Sequence, residues 1–122
     1  MSQQPTIIVF QRHPVEEDAF VAAPDRLIEG DCAQTVANHY SDPSGQFHAG
    51  IWTGGRGRWR VRYTEHEFCT LLEGRVRLTD EQGRSVELTA GDHFVVPAGF
   101  SGEWEVIEPA RKTYAIFEPK QH

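Results

Sequence analysis

Glu67 and Cys69 stand two residues apart in the run Glu67-Phe68-Cys69-Thr70-Leu71-Leu72. Side chains alternate along an extended strand, so Glu67, Cys69 and Leu71 share one face, and Phe68, Thr70 and Leu72 share the other. A carboxylate set in a lined cavity is a candidate general base, metal ligand or ligand anchor. It can equally be a buried acid paired with Arg60 or Arg62, because a buried charge needs a partner. Cys69 is a candidate nucleophile if a nearby cation lowers its pKa, and otherwise a small buried hydrophobe. Arg60 and Arg62 alternate with Trp59, Val61 and Tyr63 over residues 58–63. Inward arginines would suit a carboxylate or other anion through bidentate contacts. Inward aromatics would leave the arginines on a solvated outer face, and the need for an apolar core favours this phase, which brings Tyr63 to the pocket. Trp52 and Trp104 can stack on a ligand or fill the core. Arg111 and Lys112 read as a charge pair at a strand end, within reach of a ligand or a partner subunit.

Strands must carry these residues. The only helical candidate is 16–22, stopped by Pro24. Elsewhere short β-rich runs alternate with turn residues. Strands are predicted at 6–10, 34–39, 47–52, 58–63, 67–72, 75–80, 84–89, 93–96, 102–107 and 112–117, with a loop at 24–31. Turn signals fall at 41–45, 80–83 and 90–92, Pro97-Ala98-Gly99 ends a strand, and Pro109 separates the last two. Eight or more short strands at close spacing favour an all-β barrel or double sheet.

The 122 residues suit one domain, 1–122, with a core over about 24–118 and an N-terminal strand or arm over 1–23. A formal net charge of −6 argues against a nucleic-acid partner or an anionic membrane, both of which want a basic face. Two cysteines, Cys32 and Cys69, are too few for a secreted disulfide scaffold and match no zinc spacing. The apolar run near the N-terminus is too short for a signal peptide or a membrane span, which points to the cytoplasm.

Two glycine-anchored segments identify a relationship. Glu67 is followed by six residues and Gly74; Gly91 is followed by five residues and Pro97-Ala98-Gly99. Together they resemble the two motifs of the cupin superfamily. The wider pattern is similar to small single-domain cupins related to the C-terminal part of ureidoglycine aminohydrolase and to the ethanolamine-utilisation cupin. Trp52, Trp104, Arg111 and Lys112 fit that branch. The resemblance covers roughly 24–118 and implies a cupin jelly-roll barrel, an inward Glu67 with Cys69 lining the same cavity, and a homodimer.

Metal-binding cupins use three histidines and one glutamate, and only the glutamate is retained here. The upstream histidine positions fall at Arg60 and Arg62, or at Val61 and Tyr63 in the shorter spacing, and the late one falls at Gly102. Trp104, just past that position, is expected as a pocket wall. Arginine is always charged and cannot ligate. A rearranged metal site would have to recruit Glu67 and Cys69 with His48, His66 or His93, whereas His13, His39 and His122 fall in no motif. Histidine 66 neighbours Glu67 and should face the opposite side.

The expected function is therefore a cupin that binds a small polar or anionic metabolite without the usual metal. A second reading is an enzyme acting on a small nitrogenous or carbonyl metabolite, similar to ureidoglycine aminohydrolase, with Glu67 as metal ligand or acid/base. A third is an accessory subunit of a catabolic pathway.

Overall fold

The structure, a computed structural model, describes residues 4–120. Its strands are β1 (Asp18–Val21), β2 (Leu27–Gly30), β3 (Ala33–Ser41), β4 (Phe47–Gly54), β5 (Gly57–Arg62), β6 (His66–Asp80), β7 (Ser85–Thr89), β8 (His93–Val96) and β9 (Ser101–Phe117), all paired antiparallel. No described residue is helical. The alternating pattern was thus a sound guide to class, and the chain is an all-β jelly roll.

Two long strands organise everything. β6 and β9 pair along their whole lengths, from His66↔Phe117 to Asp80↔Gly102. Each then offers its other edge to two shorter strands. β9 pairs with β4 through its second half and with β5 through its first. β6 pairs with β8 through its first half and with β7 through its second. The result is a front sheet in the order β1-β3-β4-β9-β6-β8 and a back sheet in the order β2-β5-β9-β6-β7, joined through shared spines.

The bend between the sheets has a local cause. The β6–β9 register shifts between Leu71 and Val76, around Gly74. Gly74 has φ +87, and a Cβ there would strike the carbonyl oxygen of Pro109 and lie 2.8 Å from Ala110 Cα. Proline lacks the N–H that a regular ladder would use, so Pro109 sits where pairing lapses. It therefore bends one strand where a break between 107 and 112 was expected.

The first 32 residues depart most from expectation. Residues 6–9 carry no regular structure, the expected helix at 16–22 contains β1, and the expected loop at 24–31 contains β2. Four-residue edge strands carry too little pattern for periodicity to distinguish them from loop or helix.

The core fills the space between the sheets. Trp52, Trp59 and Trp104 cluster with centroids 5.6–6.4 Å apart, beside Leu71, Val76, Leu78, Leu88, Val96 and Val106. Each aromatic pair adds roughly 0.5–1.5 kcal/mol beyond its buried area.

Candidate functional site

Glu67 points inward from β6 and is 5% exposed. Alternation brings Cys69 and Leu71 to the same face, both fully buried, while Phe68 and Leu72 are exposed on the other. The cation that answers Glu67 comes from the neighbouring strand. Lys112 Nζ lies 3.1 Å from Glu67 Oε2, with both side chains nearly inaccessible. The Tyr63 hydroxyl donates to Glu67 Oε1 at 2.9 Å, and Trp104 Nε1–H donates to the Tyr63 oxygen at 2.9 Å. The Lys112 ammonium sits 4.4 Å above the Trp104 ring and 4.9 Å above the Trp52 ring. Cation–π attraction on two sides, a carboxylate and the Cys69 thiol thus replace the water that Lys112 loses.

The electrostatics follow from burial. Desolvation acts to lower the Lys112 pKa, but Glu67 and Cys69 outweigh it and hold the ammonium above the ordinary lysine range. Burial pushes the Cys69 thiol up to about 12, against the lowering influence of Lys112. Cys69 is therefore a thiol at neutral pH and lacks the thiolate a nucleophile requires. Burial, then the charge of Glu67, raises the Tyr63 phenol well above its usual value. The same two causes, in that order, bring Tyr114 up to about 12.

These directions give a pH prediction. The folded state keeps protons on Cys69, Tyr63, Tyr114 and Lys112 at pH values where the unfolded chain begins to release them. Stability falls with pH wherever the folded state binds more protons. The urea midpoint should therefore hold near neutrality and decline steadily from about pH 9 towards pH 12. A flat midpoint across that window would contradict the buried cluster.

The barrel mouth opens above Glu67 as a cavity of about 330 Å³. Glu67, Trp52, Asn38, His48 and Tyr114 line it with Val36 and Ile116. A hydrogen-bond chain fixes its rim. The Tyr114 hydroxyl donates to Asn38 Oδ1 at 2.8 Å, and Asn38 Nδ2 donates to Ser41 Oγ at 2.9 Å. The Ser41 hydroxyl meets His48 Nδ1 at 2.7 Å, and His48 Nε2 meets the Gly45 carbonyl at 3.1 Å. A carbonyl can only accept, which puts the imidazole proton on Nε2 and makes Nδ1 the acceptor. Below, Trp52 Nε1–H donates to Gln34 Oε1 at 2.9 Å.

The predicted site residues fall into two groups. Glu67, Cys69, Tyr63, Trp52 and Trp104 converge. The aromatic face of β5 points inward, as the core argument expected, with Trp59 8% exposed. Arg60 and Arg62 are exposed on the outer side, so neither supplies the partner of Glu67. His48 reaches the mouth. His93 does not: it stacks on exposed Phe68 and bonds Thr70 Oγ1 on the outer face. His66 is also external, accepting from the Ala98 N–H and stacking on Phe117. His122 lies outside the described residues. Arg111 and Lys112 form no strand-end pair: they are mid-strand, Arg111 exposed and Lys112 4% exposed. Alternation through Ala110, Lys112 and Tyr114, all buried, is the signal that could have revealed the inward lysine.

The cupin metal does not fit these residues. Beside Glu67 stand an ammonium, a thiol and a phenol, and an ammonium has no lone pair to give. Both nitrogens of His48 are spent in the rim chain. At the late histidine position, a Cβ on Gly102 would strike the Thr79 carbonyl oxygen. Among the described residues, no group of three or more His, Cys, Asp or Glu could hold a metal ion.

Residues 41–114 match the EutQ-like cupin domain. The chain belongs to the EutQ-like cupin family. This cupin is similar to a DUF861-family protein of unknown function from Pseudomonas syringae pv. tomato, with 25% identity and a TM-score of 0.75 over 84% of this chain and 44% of that one. It thus spans less than half the length of that relative. A DUF861 protein from Thermotoga maritima shares 36% identity over 52% of this cupin and 73% of its own chain, with a TM-score of 0.51. The EutQ protein of Clostridium difficile, at 18% identity and a TM-score of 0.65 over 83% and 75% of the two chains, shares the fold. No curated protein sequence matches this cupin. None of its described residues form a helix long and apolar enough to cross a membrane.

Proposed function

We propose that this cupin is a metal-free ligand-binding module whose barrel mouth takes a small, neutral polar molecule bearing N–H or O–H donors. The observation that carries the reading is the Lys112–Glu67 pair, which places a permanent internal cation against the one retained member of the metal set. Lys112 and Tyr63 each occupy one Glu67 oxygen, and each oxygen keeps a further acceptor position. The Tyr114 oxygen and Asn38 Oδ1 likewise keep acceptor capacity after bonding each other. Among the described residues no arginine or lysine lines the mouth, which narrows the expected ligand from polar or anionic to polar. Trp52 and Tyr114 supply apolar walls, the usual complement to a few fixed polar groups.

The test combines metal analysis with ligand titration. Protein purified without added metal should contain no stoichiometric transition metal. Small amides and polyols should include a saturating ligand that shifts the NMR signals of Trp52 and Tyr114. Tyr114→Phe should weaken it about tenfold, the loss of one to two hydrogen-bond equivalents. A stoichiometric metal released by Glu67→Gln would overturn the proposal, as would binding indifferent to Tyr114.

A further inference from the structure

The sandwich is open along two seams, because β1 ends one sheet and β2 and β5 border the other, while β7 and β8 leave a gap on the far side. The β7–β8 seam is apolar, lined by Val86, Val95 and Phe94. The seam between β1 and β5 differs. It contains a hollow of about 390 Å³ with Trp59 and Tyr63 in its wall and Arg26, Arg60 and Arg62 among its lining residues.

We propose that this seam is a second ligand site, taking a small molecule with a carboxylate or phosphate group held by Arg26, Arg60 and Arg62. Three observations lead there. First, the backbone positions of the arginines are fixed side by side: Arg60 and Arg62 stand on β5, Arg26 lies just before β2, and the Arg60 N–H donates to the Arg26 carbonyl at 2.9 Å. Second, they make no salt bridge among the described residues, although Arg58, Arg75, Arg77 and Arg84 all find carboxylates at 2.8–3.7 Å. With 18 acidic residues against 12 basic ones, carboxylates are in excess, yet these three arginines, which line one hollow, go without an ion pair among the described residues. Third, the walls suit a ligand body. Trp59 offers an aromatic surface, and the volume falls within the usual range for small-molecule sites, roughly 300–1,000 Å³.

Two of the acids nearby are already paired with other arginines. Glu103 is bound by Arg58 at 3.2 Å and Asp80 by Arg84 at 2.8 Å. Glu81 stands on the outer face, in a separate hollow that Arg26, Arg60 and Arg62 also line. Glu65 lines the hollow itself, and burial, then Glu118 and Glu67, raise its pKa. The planar guanidinium fork matches carboxylate and phosphate oxygens in pairs, which an ammonium does not. Tyr63 lines this hollow and bonds Glu67, which lines the mouth, so one side chain links two sites that take different ligands, an anion here and a neutral polar molecule there.

Calorimetric titration with inorganic phosphate and with citrate at low ionic strength tests the site. Saturable binding of at least one of them is expected, with NMR shifts at the Trp59 indole. The double variant Arg60→Ala/Arg62→Ala should weaken it tenfold or more and retain the fold by circular dichroism, since both side chains are exposed. Arg60→Lys should lose part of the affinity, and Arg111→Ala, on the front sheet, none. Unsaturable uptake, equal loss in Arg111→Ala, or shifts confined to Trp52 and Tyr114 at the mouth would each overturn the proposal.

Discussion

Replacing Lys112 by Met should cost this cupin about 3–5 kcal/mol, the range for stripping one partner from a buried ion pair. Methionine keeps the length and the apolar stem, so packing against Trp52 and Trp104 is largely retained and the loss reports charge. What remains is a Glu67 carboxylate held by one Tyr63 hydrogen bond in a site almost closed to water. Two further results separate this cause from general damage. The loss should shrink at acid pH, where the stranded carboxylate can take a proton. The second-site change Glu67→Gln should restore most of the stability, because a neutral amide needs no counter-charge. Urea unfolding of the wild type, both single variants and the double variant closes the cycle. A Lys112→Met loss under 1 kcal/mol, or a double variant no better than the single, would mean that Lys112 and Glu67 do not hold each other.

The second large effect is expected at Gly74→Ala. The left-handed backbone of Gly74 costs an L-residue about 1–2 kcal/mol. Overpacking adds about 1–3 kcal/mol, because the new methyl meets backbone that cannot step aside: the Pro109 carbonyl, Ala110 Cα at 2.8 Å and the Glu108 carbonyl at 2.8 Å. Together these consume much of a typical small-domain stability of about 5–15 kcal/mol, so soluble yield should fall sharply. Gly83→Ala is the matched control. Its φ of +83 is nearly the same, but its Cβ would meet nothing within 4 Å. It should therefore lose only the conformational share, and similar losses at the two positions would show that the β6–β9 crossing does not need a glycine.

The two variants mark where the sequence was legible. Glu67-x6-Gly74 and Gly91-x5-Pro97 identified the fold, since each glycine and proline marks a backbone event that few residues can serve. Period-two alternation grouped Glu67 with Cys69 and Trp59 with Tyr63; the cupin resemblance turned the first pair inward, and the need for an apolar core turned the second. It failed to find the partner of Glu67, because Arg60 and Arg62 are near in sequence whereas Lys112 is adjacent only across the β6–β9 ladder. Pairing between strands is a tertiary fact, invisible to local pattern. The short strands β1 and β2 were missed for the same reason: their partners β3 and β5, more than their composition, make them strands. The rim from Tyr114 to His48 draws on β3, β4 and β9, and no spacing within one segment encodes it.

Because β6 and β9 each run through both sheets, neither sheet can open while the other stays closed. Loss of the ladder at one end removes the edge on which β4, β5, β7 and β8 depend. The molecule should therefore unfold in one step, and fold slowly, since its main pairing joins segments far apart in the chain. This makes the whole protein its own reporter. A ligand seated in either hollow binds only the native state and raises a single melting transition by mass action. One thermal-shift screen, read without any labelled probe, would thus register occupancy of the mouth and of the seam alike, with Tyr114→Phe and Arg60→Ala/Arg62→Ala assigning each hit to its side.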